Sequence, residues 1–129
     1  MSKPVILLID DDKVMLNSLM DQLRNAYRGN YTIEAVQTIS EARGLLEMLA
    51  EQKIPVKLII SDWLMPPDRT NGLLVEIHTR WPSINLIMLS GYADEDAVQH
   101  ARDHANLKAF VRKPWEEDEL INEIEKAIA

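Results

Sequence analysis

Asp10, Asp11, Asp12, Asp62, Ser90 and Lys113 are the residues of this chain whose types and spacing could do chemistry together. Each stands just beyond a short apolar run. Val5 to Ile9 precedes the three aspartates, Val56 to Ile60 leads through Ser61 to Asp62, Asn85 to Leu89 precedes Ser90, and Ala109 to Arg112 precedes Lys113. If these runs are strands pointing the same way, their carboxyl ends share one edge. A carboxylate cluster, a central carboxylate, a hydroxyl and an ammonium then fall in one crevice. Clustered carboxylates repel unless a proton or a cation separates them. Oxygen ligands from Asp10, Asp11 and Asp62 suit a hard cation such as Mg²⁺, for which Mn²⁺ could substitute. A carboxylate can also act as a nucleophile and take a phosphoryl group. A metal ion, a lysine and a hydroxyl can stabilise charge on the transferred oxygens. The set holds one member for each of those roles.

The elements that must position these residues are legible as alternating periods. Val5 to Ile9 and Val56 to Ile60 are too uniformly apolar for a half-exposed strand and read as strands buried on both faces. Tyr31 to Val36 alternates and reads as a strand as well. Between the strands, Leu16, Leu19, Leu23 and Ala26 follow helical spacing, as do Ala42, Leu45, Leu46 and Leu49 after a candidate cap at Ser40. Leu73, Leu74, Ile77 and Trp81 form a third stripe, Ala97, Val98, Ala101 and Ala105 a fourth, and Leu120, Ile121, Ile124 and Ile128 a fifth. Five strands alternating with five helices imply an α/β fold, a doubly wound parallel sheet covered on both faces. The flavodoxin-like order 2-1-3-4-5 fits five units, whereas a barrel needs about eight. In that order the strands ending at Asp10, Asp62, Ser90 and Lys113 are consecutive neighbours.

Composition narrows the function classes. The chain of 129 residues has a net charge of −7, which disfavours direct nucleic-acid binding, normally the work of a basic face. There is no cysteine, so neither disulfides nor zinc–thiolate sites arise. No signal peptide or membrane-spanning run is visible, and a cytoplasmic location is expected.

The phrases IDDDK, LIISDWLMP, MLSGY and FVRKPW together closely resemble the receiver domain of bacterial two-component response regulators, over essentially the whole chain. The resemblance implies one domain over residues 1–129, standing alone or forming the amino-terminal part of a longer regulator. It implies that Asp62 is the phosphoacceptor for a sensor histidine kinase or phosphotransfer protein. Asp10 and Asp11 would hold Mg²⁺, with Asp11 the direct ligand, and the backbone carbonyl of Leu64 would complete the site. Ser90 and Lys113 would contact the phosphoryl group. Ser90 and Phe110 would form the switch that repacks the face of the fourth helix, fifth strand and fifth helix for an output partner or a homodimer. Such a domain is not an enzyme beyond its own phosphorylation and slow self-dephosphorylation. The SGYAD and KPW phrases are similar to receivers joined to cyclic-di-GMP phosphodiesterase or transcription-factor outputs.

Three departures stand out. The linker Glu51-Gln52-Lys53-Ile54-Pro55 is longer than usual for the family, and PPDRTNG carries an extra residue with Asn71-Gly72 where Asp-Gly is common. Leu64 and Tyr92 stand where many receivers carry polar side chains that position the hydrolytic water, so slow autodephosphorylation is expected. A competing reading makes Ile9 to Val14 resemble the Asp-x-Asp motif of haloacid-dehalogenase-type phosphatases, with Asp10 as nucleophile and Asp12 as acid/base. It leaves Asp62 without a role. A receiver-like binding module that is never phosphorylated is a third reading. Plainer roles exist for single residues. Asp12 suits an acidic helix start, and His100 and His104, four apart, read as a solvated helix face for want of a third ligand.

Overall fold

The apolar runs become one parallel sheet. Its strands are β1 (Val5–Ile9), β2 (Thr32–Val36), β3 (Val56–Asp62), β4 (Asn85–Ser90) and β5 (Leu107–Arg112). They pair in the order β2-β1-β3-β4-β5, every pair parallel. The computed structural model describes residues 3–27, 29–62, 76–90, 99, 107–112 and 115–128, apart from the side chains of Asp62 and Ser90. Helix α1 (Lys13–Ala26), helix α2 (Ile39–Glu51), a helical segment at 76–80 and the last helix (Glu117–Ile128) flank the sheet.

Every residue of β1 is buried, because both of its faces are covered. Val5, Leu7 and Ile9 meet Ile39, Ala42, Leu46 and Leu49 of α2 and Ile77 of the helical segment. Ile6 and Leu8 meet Leu16, Leu19 and Leu23 of α1 and Leu120, Ile124 and Ala127 of the last helix. An all-apolar strand with two apolar faces is what a parallel sheet between helix layers requires.

Strict alternation fails at two lysines. Val5 pairs with Val56 but Ile6 with Leu58, so Lys57 is an extra residue in β3. Leu86 pairs with Leu107 but Ile87 with Ala109, so Lys108 is an extra residue in β5. Each bulge exchanges the faces of the residues beyond it. Val56 accordingly packs on the α2 side and Leu58 on the α1 side. Asn85 Nδ2 donates to the Lys57 carbonyl at 3.4 Å, covering a backbone acceptor at the bulge.

Helix ends follow local chemistry. Asp12 caps α1: its side chain accepts from Val14 N at 3.0 Å and Met15 N at 3.2 Å. Thr38, not Ser40, caps α2. Thr38 Oγ1 accepts from Glu41 N at 3.0 Å and donates to Glu41 Oε1 at 3.2 Å. The Thr-x-x-Glu spacing pairs the cap with its N3 residue, which Ser40 lacks. Ala26 is exposed, and Tyr27, buried at the end of α1, fills the place expected for it. Its hydroxyl donates to Glu125 Oε1 at 3.0 Å. Burial, then that carboxylate, push the phenol's pKa up.

The long linker after α2 is a helix stop. Ile54 N donates to Leu49 O at 2.9 Å and Lys53 N to Ala50 O at 3.1 Å, the paired bonds of a Schellman turn. Its left-handed position is Lys53, at φ 59°, where glycine is normally preferred because it has no Cβ. Lys53→Gly is expected to raise the unfolding free energy by about 0.5–1 kcal/mol. Urea denaturation with an unchanged slope measures it, and a lower midpoint contradicts the assignment.

Candidate functional site: the carboxyl edge of the sheet

Pairing register brings the backbone positions of Asp10, Asp62 and Ser90 to one edge. Ile9 pairs with Ser61, so Asp10 stands one step beyond that pair, level with Asp62. Asp62 pairs with Leu89 and is the last residue of β3, so the strand runs two residues further than its apolar core at Ile60. Ser90, the last residue of β4, pairs with Arg112, the last of β5, and Lys113 is next in the chain. With neighbouring strands about 4.8 Å apart, the backbone positions of residues 10, 62, 90 and 112 succeed one another along this edge.

Asp10 is 1% exposed. Its backbone N donates to Val36 O at 3.2 Å, and its Oδ1 accepts from Asp12 N at 2.9 Å. The chain turns at Asp11 from strand to helix, and that turn carries the Asp12 N–H over the Asp10 carboxylate. A buried carboxylate is costly unless compensated, and Asp10 makes further interactions besides these two bonds. Asp11 is exposed at the same turn. The sunk carboxylate of Asp10 and the open one of Asp11 would offer oxygen donors of the kind that a hard divalent cation takes. Among the described residues no three acidic or histidine side chains gather tightly enough to hold a metal; the proposed set also needs the side chain of Asp62, which lies outside them.

Phe110 on β5 is half-buried against the α2-side core. Leu64, Tyr92 and Lys113 lie outside the described residues, as do His100 and His104. Asp12, with its side chain engaged by two backbone N–H groups of α1, serves as a helix cap rather than an acid/base.

Two features of this edge had no clear signal in the sequence. Ser61 is wholly buried beneath Asp62's position. Trp115 Nε1 donates to Gln22 Oε1 at 3.1 Å, tying the segment after β5 to α1 across 93 residues. Gln22 is one polar residue among several on its helix, and nothing local marks it.

The family model of the response regulator receiver domain matches residues 6–125. The chain belongs to that family. The receiver domain is similar to the hydrogenase transcriptional regulatory protein HoxA of Cupriavidus necator, at 30% identity over 95% of this chain and 24% of HoxA. It thus spans about a quarter of that relative's length. Among solved structures, the signal receiver domain of an HD-domain-containing protein from Pseudomonas fluorescens superposes with a TM-score of 0.84 at 28% identity, over 99% of this chain and 88% of that one. The CheY-like receiver domain from Methanospirillum hungatei gives 0.83 at 25% identity, over 98% and 94%. The flavodoxin-like strand order expected from the sequence is the one observed. As a receiver, the domain is a signalling module of the two-component type. No helix among the described residues is long and apolar enough to cross a membrane.

Proposed function

We propose that this receiver accepts a phosphoryl group on Asp62 from a sensor histidine kinase or a phosphotransfer protein, in a Mg²⁺-dependent transfer. The observation that carries the reading is the register that sets Asp62 level with the buried Asp10 and one step from Ser90, whose own partner Arg112 precedes Lys113 in the chain.

Asp10 and Asp11, with the Asp62 carboxylate and the Leu64 backbone carbonyl, would hold the cation. When bound, it supplies charge neutralisation at the phosphoryl oxygens. An Asp62 oxygen attacks phosphorus, a P–O bond forms, the P–N bond to the donor imidazole breaks, and the electron pair leaves with that nitrogen. The Ser90 hydroxyl and the Lys113 ammonium bind the transferred oxygens. Phe110, half-buried and packed on the α2-side core, answers Ser90 by turning inward and altering the face of the fourth helix, fifth strand and last helix. That face is read by an output partner or by a second copy. An output in transcriptional control agrees with the name of the HoxA relative. A cytoplasmic location follows from a cytoplasmic kinase partner, with neither nucleic acid nor membrane as a direct ligand.

Intact mass after incubation with Mg²⁺ and acetyl phosphate tests the reading. Gain of one phosphoryl group is expected, and its absence with both acetyl phosphate and a cognate kinase leaves a binding module instead. The adduct should also be long-lived. The apolar Leu64 and the aromatic Tyr92 would shield the acyl phosphate from hydrolytic water, so a half-life well beyond seconds is expected in Mg²⁺ buffer. Decay within seconds removes that role from the pair.

A further inference from the structure

Lys113 sits in a connection of two residues, Lys113-Pro114, between the end of β5 and Trp115. One end of that connection is pinned by the sheet, where Arg112 pairs with Ser90. The other end is pinned by a side chain. Trp115 is half-buried against the core under α1 and the last helix, and its indole N–H donates to Gln22 Oε1 at 3.1 Å. The three Cα steps from Arg112 to Trp115 span at most about 11 Å, and a proline ring fixes one of its own backbone torsions. The described residues on either side of the lysine, Arg112 and Trp115, are thus each held by a partner. An ammonium on a flexible four-carbon stem has no fixed direction of its own, so its reach is set by where the backbone stands. The second pin also runs to a meaningful place. Gln22 belongs to α1, the helix that starts at the cap Asp12, directly after Asp10 and Asp11.

We propose that Gln22 and Trp115 are positioning residues for the phosphoryl-transfer step, acting through Lys113. The indole–carboxamide bond ties Trp115, two residues after the lysine in the chain, to α1. Trp115 and the acidic turn at Asp10 and Asp11 are thereby joined to the same helix. The inference rests on the reading that Asp62 accepts a phosphoryl group.

The test uses the full chain with Mg²⁺ and acetyl phosphate, a small donor that needs no docking surface, followed by intact mass over time. Gln22→Leu and Trp115→Phe are each expected to slow adduct formation about tenfold, in line with the cost of small misplacements at a reacting group. Together they should slow it no further, because both remove one bond. Gln22→Glu keeps an acceptor for the indole and should restore the rate to within about twofold of the wild type. Mg²⁺ affinity should be unchanged throughout. In a Lys113→Ala background Gln22→Leu should have no effect on rate, which a merely structural bond would not predict. Should Gln22→Leu fold poorly, Trp115→Phe retains an aromatic ring and loses the N–H, so it decides alone. Wild-type rates in both variants, or equal slowing with and without Lys113, overturn the inference while the phosphorylation reading stands. Absence of any adduct on the wild type overturns both.

Discussion

Asp62→Asn is expected to abolish the phosphoryl adduct without weakening the fold. The amide nitrogen and oxygen carry no negative charge to attack phosphorus, and the substitution is nearly isosteric. Asp62 also closes a strand level with Asp10, which is buried, and beside the exposed Asp11. Removing one of several like charges relieves repulsion. The variant should therefore be as stable as the wild type, or up to roughly 1 kcal/mol more stable, in metal-free buffer. Intact mass with acetyl phosphate and Mg²⁺ reads the first outcome, and thermal unfolding in chelator reads the second. Adduct formation at the wild-type rate in Asp62→Asn moves the acceptor elsewhere. If it then disappears with Asp10→Asn, the phosphatase-like use of the first aspartate gains what Asp62 loses. Chelating Mg²⁺ should halt adduct formation on the wild type, since three carboxylates cannot then share the edge with an incoming phosphoryl group.

The largest stability effect is expected at Leu8→Ala. Leu8 is fully buried in β1, the strand flanked by β2 and β3. It belongs to the core that joins α1, the last helix and the inner strands. Truncation removes three carbons from a site walled by secondary structure on every side, so little collapse can fill the space. A loss of about 3–4 kcal/mol is expected. Against a total of roughly 5–15 kcal/mol for a domain of this kind, that is a large fraction. Thermal unfolding should shift down by about 10–15 °C. A shift under a few degrees indicates that the sheet moves to close the gap. The consequence reaches the site, because β1 carries Asp10 at its end. Mg²⁺ binding should weaken in Leu8→Ala even below its unfolding temperature.

Most of the fold was legible because its signals are local. A run such as Val5 to Ile9 cannot be a surface element, and a helix stripe such as Leu16, Leu19 and Leu23 can bury only one face. Alternation of the two implies a parallel sheet, and right-handed connections restrict its order. The site was legible for a related reason. When all strands run one way, the residue after each apolar run lands on the same edge, so the positions of Asp10, Asp62 and Ser90 could be grouped before any contact was known.

The features that the tertiary structure alone decided depend on partners distant in the chain. β3 continues through Ser61 to Asp62 because β4 pairs with it there, and no apolar residue announces that extension. The bulges at Lys57 and Lys108 arise from register against β1 and β4, and they decide which core Leu58 and Ala109 enter. Burial of Asp10 comes from the turn that folds the Asp12 N–H over it. The bond from Trp115 to Gln22 joins residues 93 apart, with no periodicity to predict it. Residue type and spacing therefore indicated which strand ends share the edge. Pairing register and long-range packing determined how deeply the first aspartate is sunk and that Trp115 is bonded to Gln22.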